Sequence, residues 1–163
     1  MAEDNFYRYL STTGATGGTK NAVGDYSSSA TDFYFVATPG PAWVERLILY
    51  IEDTKGMEPE EYGNLGAALT NGWSIKVKDA DDVVLLDIND GIPVKTNAGI
   101  GRMCYDVDLK AWTNTTNEVV LARFTFSRAG SELKLNAGEK LVITLNDSFV
   151  GLIDHYFQIQ GHY

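Results

Sequence analysis

The sequence predicts an all-β protein folded as a single β-sandwich, on three observations. From Phe33 onward apolar residues recur mostly at every second position or in short β-branched and aromatic runs. Gly, Asn and Asp, the residues of turns, separate those runs. No internal repeat or linker interrupts the pattern, so one core is expected. Eight or more strands with few tight hairpins point to a jelly roll rather than an up-and-down barrel. At 163 residues the chain is one domain long, a size that hides about two-thirds of the surface the unfolded form exposes. The expected division is an extended N-terminal arm, residues 1–31, followed by the jelly-roll domain, residues 32–163.

The arm comes first. Its stretch STTGATGGTKNAVGDYSSSAT, residues 11–31, is rich in Gly, Ser and Thr and poor in apolar side chains. Alone it buries too little to offset its ordering entropy. It is therefore expected to lie along the domain or along a neighbouring subunit.

Nine strand-like runs follow: DFYFVA (32–37), WVERLILYIE (43–52), WSIKVK (73–78), VVLLDI (83–88), MCYDVDLKAW (103–112), VVLARFTF (119–126), SELKL (131–135), KLVITLN (140–146) and HYFQIQG (155–161). In WSIKVK the alternation puts Trp73, Ile75 and Val77 on one face and Ser74, Lys76 and Lys78 on the other, a half-buried strand. In the run from Met103, Met103, Tyr105, Val107, Leu109 and Ala111 share a face opposite Asp106, Asp108 and Lys110. VVLLDI lacks alternation, which predicts a strand covered on both sides. DADD, residues 79–82, reads as the hairpin turn between two of these strands. One short helix is expected after Glu58, with Pro59 at its first position and Glu60 and Glu61 in its first turn, cut short by Gly63 and Gly66.

Composition narrows the function. The net charge is -9 and the thirteen Lys and Arg are scattered, so no nucleic-acid partner is expected. The N-terminus has no basic start followed by an apolar run, and no stretch reaches the length of a membrane span, so neither a signal peptide nor a membrane partner is expected. The single Cys104 has no partner for an internal disulfide and reads as a small apolar filler.

Catalytic and metal motifs are weak, and no cofactor is expected. His155 and His162 are seven residues apart, an odd spacing that sends them to opposite faces of one strand. His155 should share a face with Phe157 and Ile159, and His162 the other with Tyr156, Gln158 and Gln160. The two histidines therefore do not converge on one metal. DINDG, residues 87–91, has Gly91 fifth where a calcium loop needs it sixth, so a turn is the better reading. A calcium site assembled from Asp79, Asp81, Asp82, Asp87 or Asp90 stays open as an alternative. There is no G-x-S-x-G elbow and no P-loop, and no catalytic residue is assigned. Trp43, Trp73 and Trp112 each sit at an end of a strand-like run, where a ring caps the core or stands exposed as a stacking platform for a sugar.

The segments WVERLILYIED, EYGNLGAALTNGWSIKV and LNAGEKLVITLNDSFVGLIDHYFQIQGHY together resemble the decoration, or cement, proteins of tailed bacteriophages, which have jelly-roll-like sandwiches. The resemblance covers about two-thirds of the chain, excludes the arm, and rests on structural phrases such as "NAGEKL" and "NDSF". It implies a non-enzymatic homotrimer on the virion capsid surface, made in the host cytoplasm, whose partner is the major capsid protein and which strengthens the shell. In such an assembly Phe6, Tyr7, Tyr9 and Leu10 of the arm are expected as interface anchors, and removing residues 1–30 should abolish attachment or trimerisation while leaving the sandwich folded. The alternative is a carbohydrate- or receptor-binding module of a virion appendage, a tail or head fibre, with Trp43, Trp73 and Trp112 as stacking residues.

Overall fold

The computed structural model describes residues 4–15, 17–56, 61–88, 106–113, 116–126 and 132–163, with backbone alone over 106–113. Ten strands appear among them: β1 (Asn5–Tyr9), β2 (Thr31–Val36), β3 (Ala42–Thr54), β4 (Trp73–Lys78), β5 (Val84–Asp87), β6 (Asp106–Thr113), β7 (Asn117–Thr125), β8 (Leu133–Leu135), β9 (Lys140–Leu145) and β10 (Asp154–His162). They form two antiparallel sheets. The larger runs β1-β10-β3-β7-β6, with β8 paired to one end of β3, and the smaller runs β2-β9-β4-β5. Each of the nine runs read from the sequence corresponds to a strand. The sandwich is observed.

Its core is the meeting of the two inner faces. Leu47, Leu49, Ile51, Phe124, Phe157 and Ile159 of the larger sheet pack with Phe33, Phe35, Trp73, Ile75, Leu141 and Ile143 of the smaller one. Trp73 reaches across the gap, its ring centre 5.2 Å from Phe157 and 6.1 Å from Phe124, both edge-on. Trp73, Ile75 and Val77 are buried while Ser74, Lys76 and Lys78 are half-buried, as the alternation requires. At residues 79–83 the Asp79 N–H donates to the Val83 carbonyl, and Asp79 Oδ1 accepts from the Asp81 and Val83 N–H groups. The DADD hairpin thus closes on its own carboxylate.

Two expectations need correction. The strand in VVLLDI is not covered on both sides: β5 ends the smaller sheet among the described residues, and Val83, Val84, Leu85 and Leu86 are all exposed. A continuous apolar run marks burial only if something packs on both faces, which the sequence of one chain does not specify. The short helix is not found over residues 61–72. Tyr62, Gly63 and Gly66 all take left-handed φ values, +53°, +87° and +80°, which no right-handed helix tolerates; Pro59 and Glu60 lie outside the described residues.

Of the two placements expected for the arm, the structure shows the one along the domain. β1 pairs with β10 from Asn5–His162 to Tyr9–Gln158. Beyond it, Leu10 N–H donates to the Phe157 carbonyl, Ala22 N–H to His155 and Tyr26 N–H to Asp147. Phe6, Leu10 and Ala22 are buried in the chain's own core, with Phe6 5.3 Å from Phe35 across the sandwich. The arm's few apolar residues are spaced to fill an existing core, and the Gly- and Ser-rich stretches between them only need to bend.

Candidate functional site

Three places gather the chemistry-bearing side chains, and all are positioned by β10. Its alternation sends His155, Phe157 and Ile159 inward and Tyr156, Gln158 and Gln160 outward, as the odd spacing of the histidines requires.

The inward place is a polar network sealed in the core. His155 Nδ1–H donates to the Ala22 carbonyl at 3.2 Å, which leaves Nε2 to accept from the Tyr62 hydroxyl at 2.9 Å. That hydroxyl accepts in turn from Trp73 Nε1–H at 3.1 Å. Phe149 stacks on the imidazole with centroids 4.8 Å apart. Burial pushes His155 down to about 4, against the weaker opposing effect of the Ala22 hydrogen bond, and pushes the Tyr62 hydroxyl up. His155 is therefore a neutral, fully hydrogen-bonded structural histidine. The loop carrying Tyr62 is pinned by two buried carboxylates. Asp53 accepts from Thr54 and Asn64 N–H, and Asp147 accepts from Thr70, Asn71 and Gly72 N–H at 3.0, 2.8 and 2.6 Å. Asp147, read from the sequence as a strand exit, is also the anchor of the loop 75–77 residues earlier.

The first outward place is a row of tyrosines across β1, β10 and β3. Tyr50 stacks on Tyr156 at 4.5 Å, and Tyr156 meets Tyr9 edge-on at 5.2 Å. Lys20 Nζ lies 4.9 Å from the Tyr9 ring centre. The Tyr50 hydroxyl donates to Glu52. Burial, reinforced by nearby phenol and carboxylate groups, pushes Tyr156 up to about 12. Of the expected arm anchors, Tyr7 and Tyr9 are exposed, at 62% and 42%, whereas Phe6 and Leu10 are core residues and unavailable to a partner.

The second outward place is at the far end of β10. A bulge opposite Gln160 and Gly161 pairs Gly161 with Val44 and His162 with Trp43. The extra residue on β3 turns Glu45 and Arg46 both toward the outer side, a common use of a bulge. Gly161 is required here, because a Cβ would run into the Trp43 carbonyl oxygen. His162 then stacks flat on Trp43, centroids 5.5 Å apart and planes 9° from parallel. Its Nδ1 lies 3.5 Å from Glu45 Oε1 and its Nε2 3.9 Å from Glu132 Oε2. Beyond Trp43 opens a groove of about 480 Å³ lined by Asp4, Pro39, Gly40, Pro41, Trp43 and Tyr163.

Of the three expected stacking tryptophans, Trp73 is corrected to a buried core residue, 1% exposed, where no ligand can reach it. Trp43 borders the groove. Trp112 pairs with Val119 in β6, and its side chain lies outside the described part, as do Cys104, Asn89, Asp90 and Gly91. The aspartates weighed for calcium go to separate partners: Asp79 to its turn, Asp82 to Lys140 at 2.9 Å and Asp87 to Lys76 at 3.8 Å. Among the described residues the one group of three close His, Cys, Asp or Glu donors is Glu45, Glu132 and His162. Sequence reasoning missed both glutamates. Their signal was available only through β8, whose pairing to β3 ends at Val44–Leu133 and so brings Glu132 beside Glu45. No family model matches the chain, and neither a curated protein nor a solved structure matches it.

Proposed function

We propose that this chain is a virion structural protein, a non-enzymatic decoration or cement protein. In this reading it is a jelly-roll homotrimer that binds the outer surface of a phage capsid through the major capsid protein and stabilises the shell. The observation that supports the reading is the run Val83 to Leu86, four consecutive exposed apolar residues leading into and along β5, which ends the smaller sheet among the described residues. Exposed apolar runs of this kind mark surfaces that are covered in an assembly, and an open strand end invites pairing. The tyrosine row on the opposite sheet adds aromatic surface of the sort that dominates interfaces. The test is solution mass by light scattering, then co-sedimentation with capsids. A species of about 54 kDa, three times 17.9 kDa, that co-sediments at saturable occupancy, with co-sedimentation lost in Leu85→Asp, fits the proposal. A chain that stays free of capsids at every concentration refutes it.

One observation favours a second reading, a carbohydrate- or receptor-binding module of a virion appendage. The groove beside Trp43 and Tyr163 offers aromatic edges with Asp4 as a polar group, the composition of a small-ligand site. Glycan binding that is lost in Trp43→Ala but kept in Leu85→Asp would select this reading over the first.

A further inference from the structure

We propose that Glu45, Glu132 and His162 form a binding site for one divalent transition-metal ion, of the class of Zn2+, that ties the last strand to β3 and to the entry of β8. One ligand atom from each of the three lies within 4.8 Å of the other two. An ion bound at 2.0–2.2 Å in tetrahedral geometry needs donors about 3.3–3.6 Å apart. The 3.5 Å between His162 Nδ1 and Glu45 Oε1 is already there. Glu132 Oε2 now lies 3.9 Å from the other ring nitrogen, Nε2, so an ion on Nδ1 requires the Glu132 side chain, 34% exposed, to rotate toward the Nδ1 edge of the ring.

Two further features single the cluster out from an ordinary acidic patch. His162 Nδ1 is buried and makes no hydrogen bond, although Glu45 is near. An unpartnered buried ring nitrogen costs free energy unless its lone pair finds an acceptor of electrons or its proton a base. The imidazole is also held in place, because Trp43 stacks on it and the side chain is only 12% exposed. Orientation is thus supplied by the fold before any ion arrives. Both carboxylates remain one-third exposed, which leaves an entry path and room for water to complete the coordination. One imidazole with two carboxylates suits Zn2+ and its neighbours in the first transition row better than Ca2+, which takes six to eight oxygen ligands. Two carboxylate side chains on a chain of net charge -9 suit a cation rather than an anion.

The test is calorimetric titration of the full-length chain with ZnCl2 at neutral pH, paired with thermal melts with and without the ion. The expected result is one ion per chain and a raised melting temperature, with affinity falling at least about tenfold in Glu45→Gln, Glu132→Gln and His162→Asn. The two glutamine variants alter partly exposed side chains, so they decide the matter even if His162→Asn folds poorly. Absence of a saturable heat overturns the proposal. So does Zn2+ binding that is unchanged in the glutamine variants, which would place the ion elsewhere on the acidic surface, and so does tighter binding of Ca2+ than of Zn2+.

Discussion

His155 should make this protein acid-labile. In the fold its imidazole is held neutral with a pKa near 4, chiefly by burial, whereas in the unfolded chain it titrates near 6.5. Above 6.5 neither state carries the proton, and the histidine contributes no pH dependence. As pH falls below 6.5 the unfolded state takes up a proton that the folded state refuses, so stability declines. The decline ends near pH 4, where the folded state also protonates or opens. Linkage over this window gives a loss of roughly 2 kcal/mol between pH 7 and pH 4.5. The assay is urea unfolding at both pH values for the wild type and for His155→Gln, which stays neutral throughout and can still hydrogen-bond. The variant starts lower at pH 7, because the Tyr62 and Ala22 partners are re-fitted, but its pH dependence should be shallower by about 2 kcal/mol. Carboxylate contributions are common to both proteins and cancel in the comparison. Parallel pH profiles would refute the placement of His155 as a buried neutral base.

Four other outcomes test the architecture. Asp147→Ala strips the acceptor from the Thr70, Asn71 and Gly72 N–H groups and should cost about 3–5 kcal/mol, with hydrogen exchange at those three amides faster than the global rate. Gly161→Ala forces a methyl group into the Trp43 carbonyl. It should cost about 3 kcal/mol, and the Trp43 fluorescence should shift as the stacking on His162 is lost. Phe6→Ala removes a core ring that packs on Phe35 and Tyr163 and should cost about 3–5 kcal/mol. Deleting residues 1–31 should accordingly abolish cooperative unfolding, and a truncated chain that melts like the full-length protein would show the arm to be dispensable.

The strands were legible because side-chain alternation is a local property. WSIKVK and HYFQIQGHY each carry their inner and outer faces in their own residues, and the odd spacing of His155 and His162 is enough to separate the two histidines. Asp79 and the DADD turn are local in the same way. β1 was not legible as a strand, since Asn5–Tyr9 stands alone before a polar stretch and becomes a strand by adding to β10. The exposure of Val83 to Leu86 was misread for the complementary reason. Apolar character records what a strand can bury, and only its position in the sheet order records whether this chain buries it.

The sequence by itself therefore determined the all-β class, the order of the strands along the chain and the face to which each histidine points, because these follow from a two-residue period and from turn chemistry. Tertiary structure alone decided that Asp147 anchors residues 70–72, that Phe6 and Leu10 complete the core, and that Glu45 and Glu132 meet His162. Those contacts join residues from about 30 to more than 150 positions apart, through strand pairing and one bulge. No local pattern encodes which distant strand will arrive beside which.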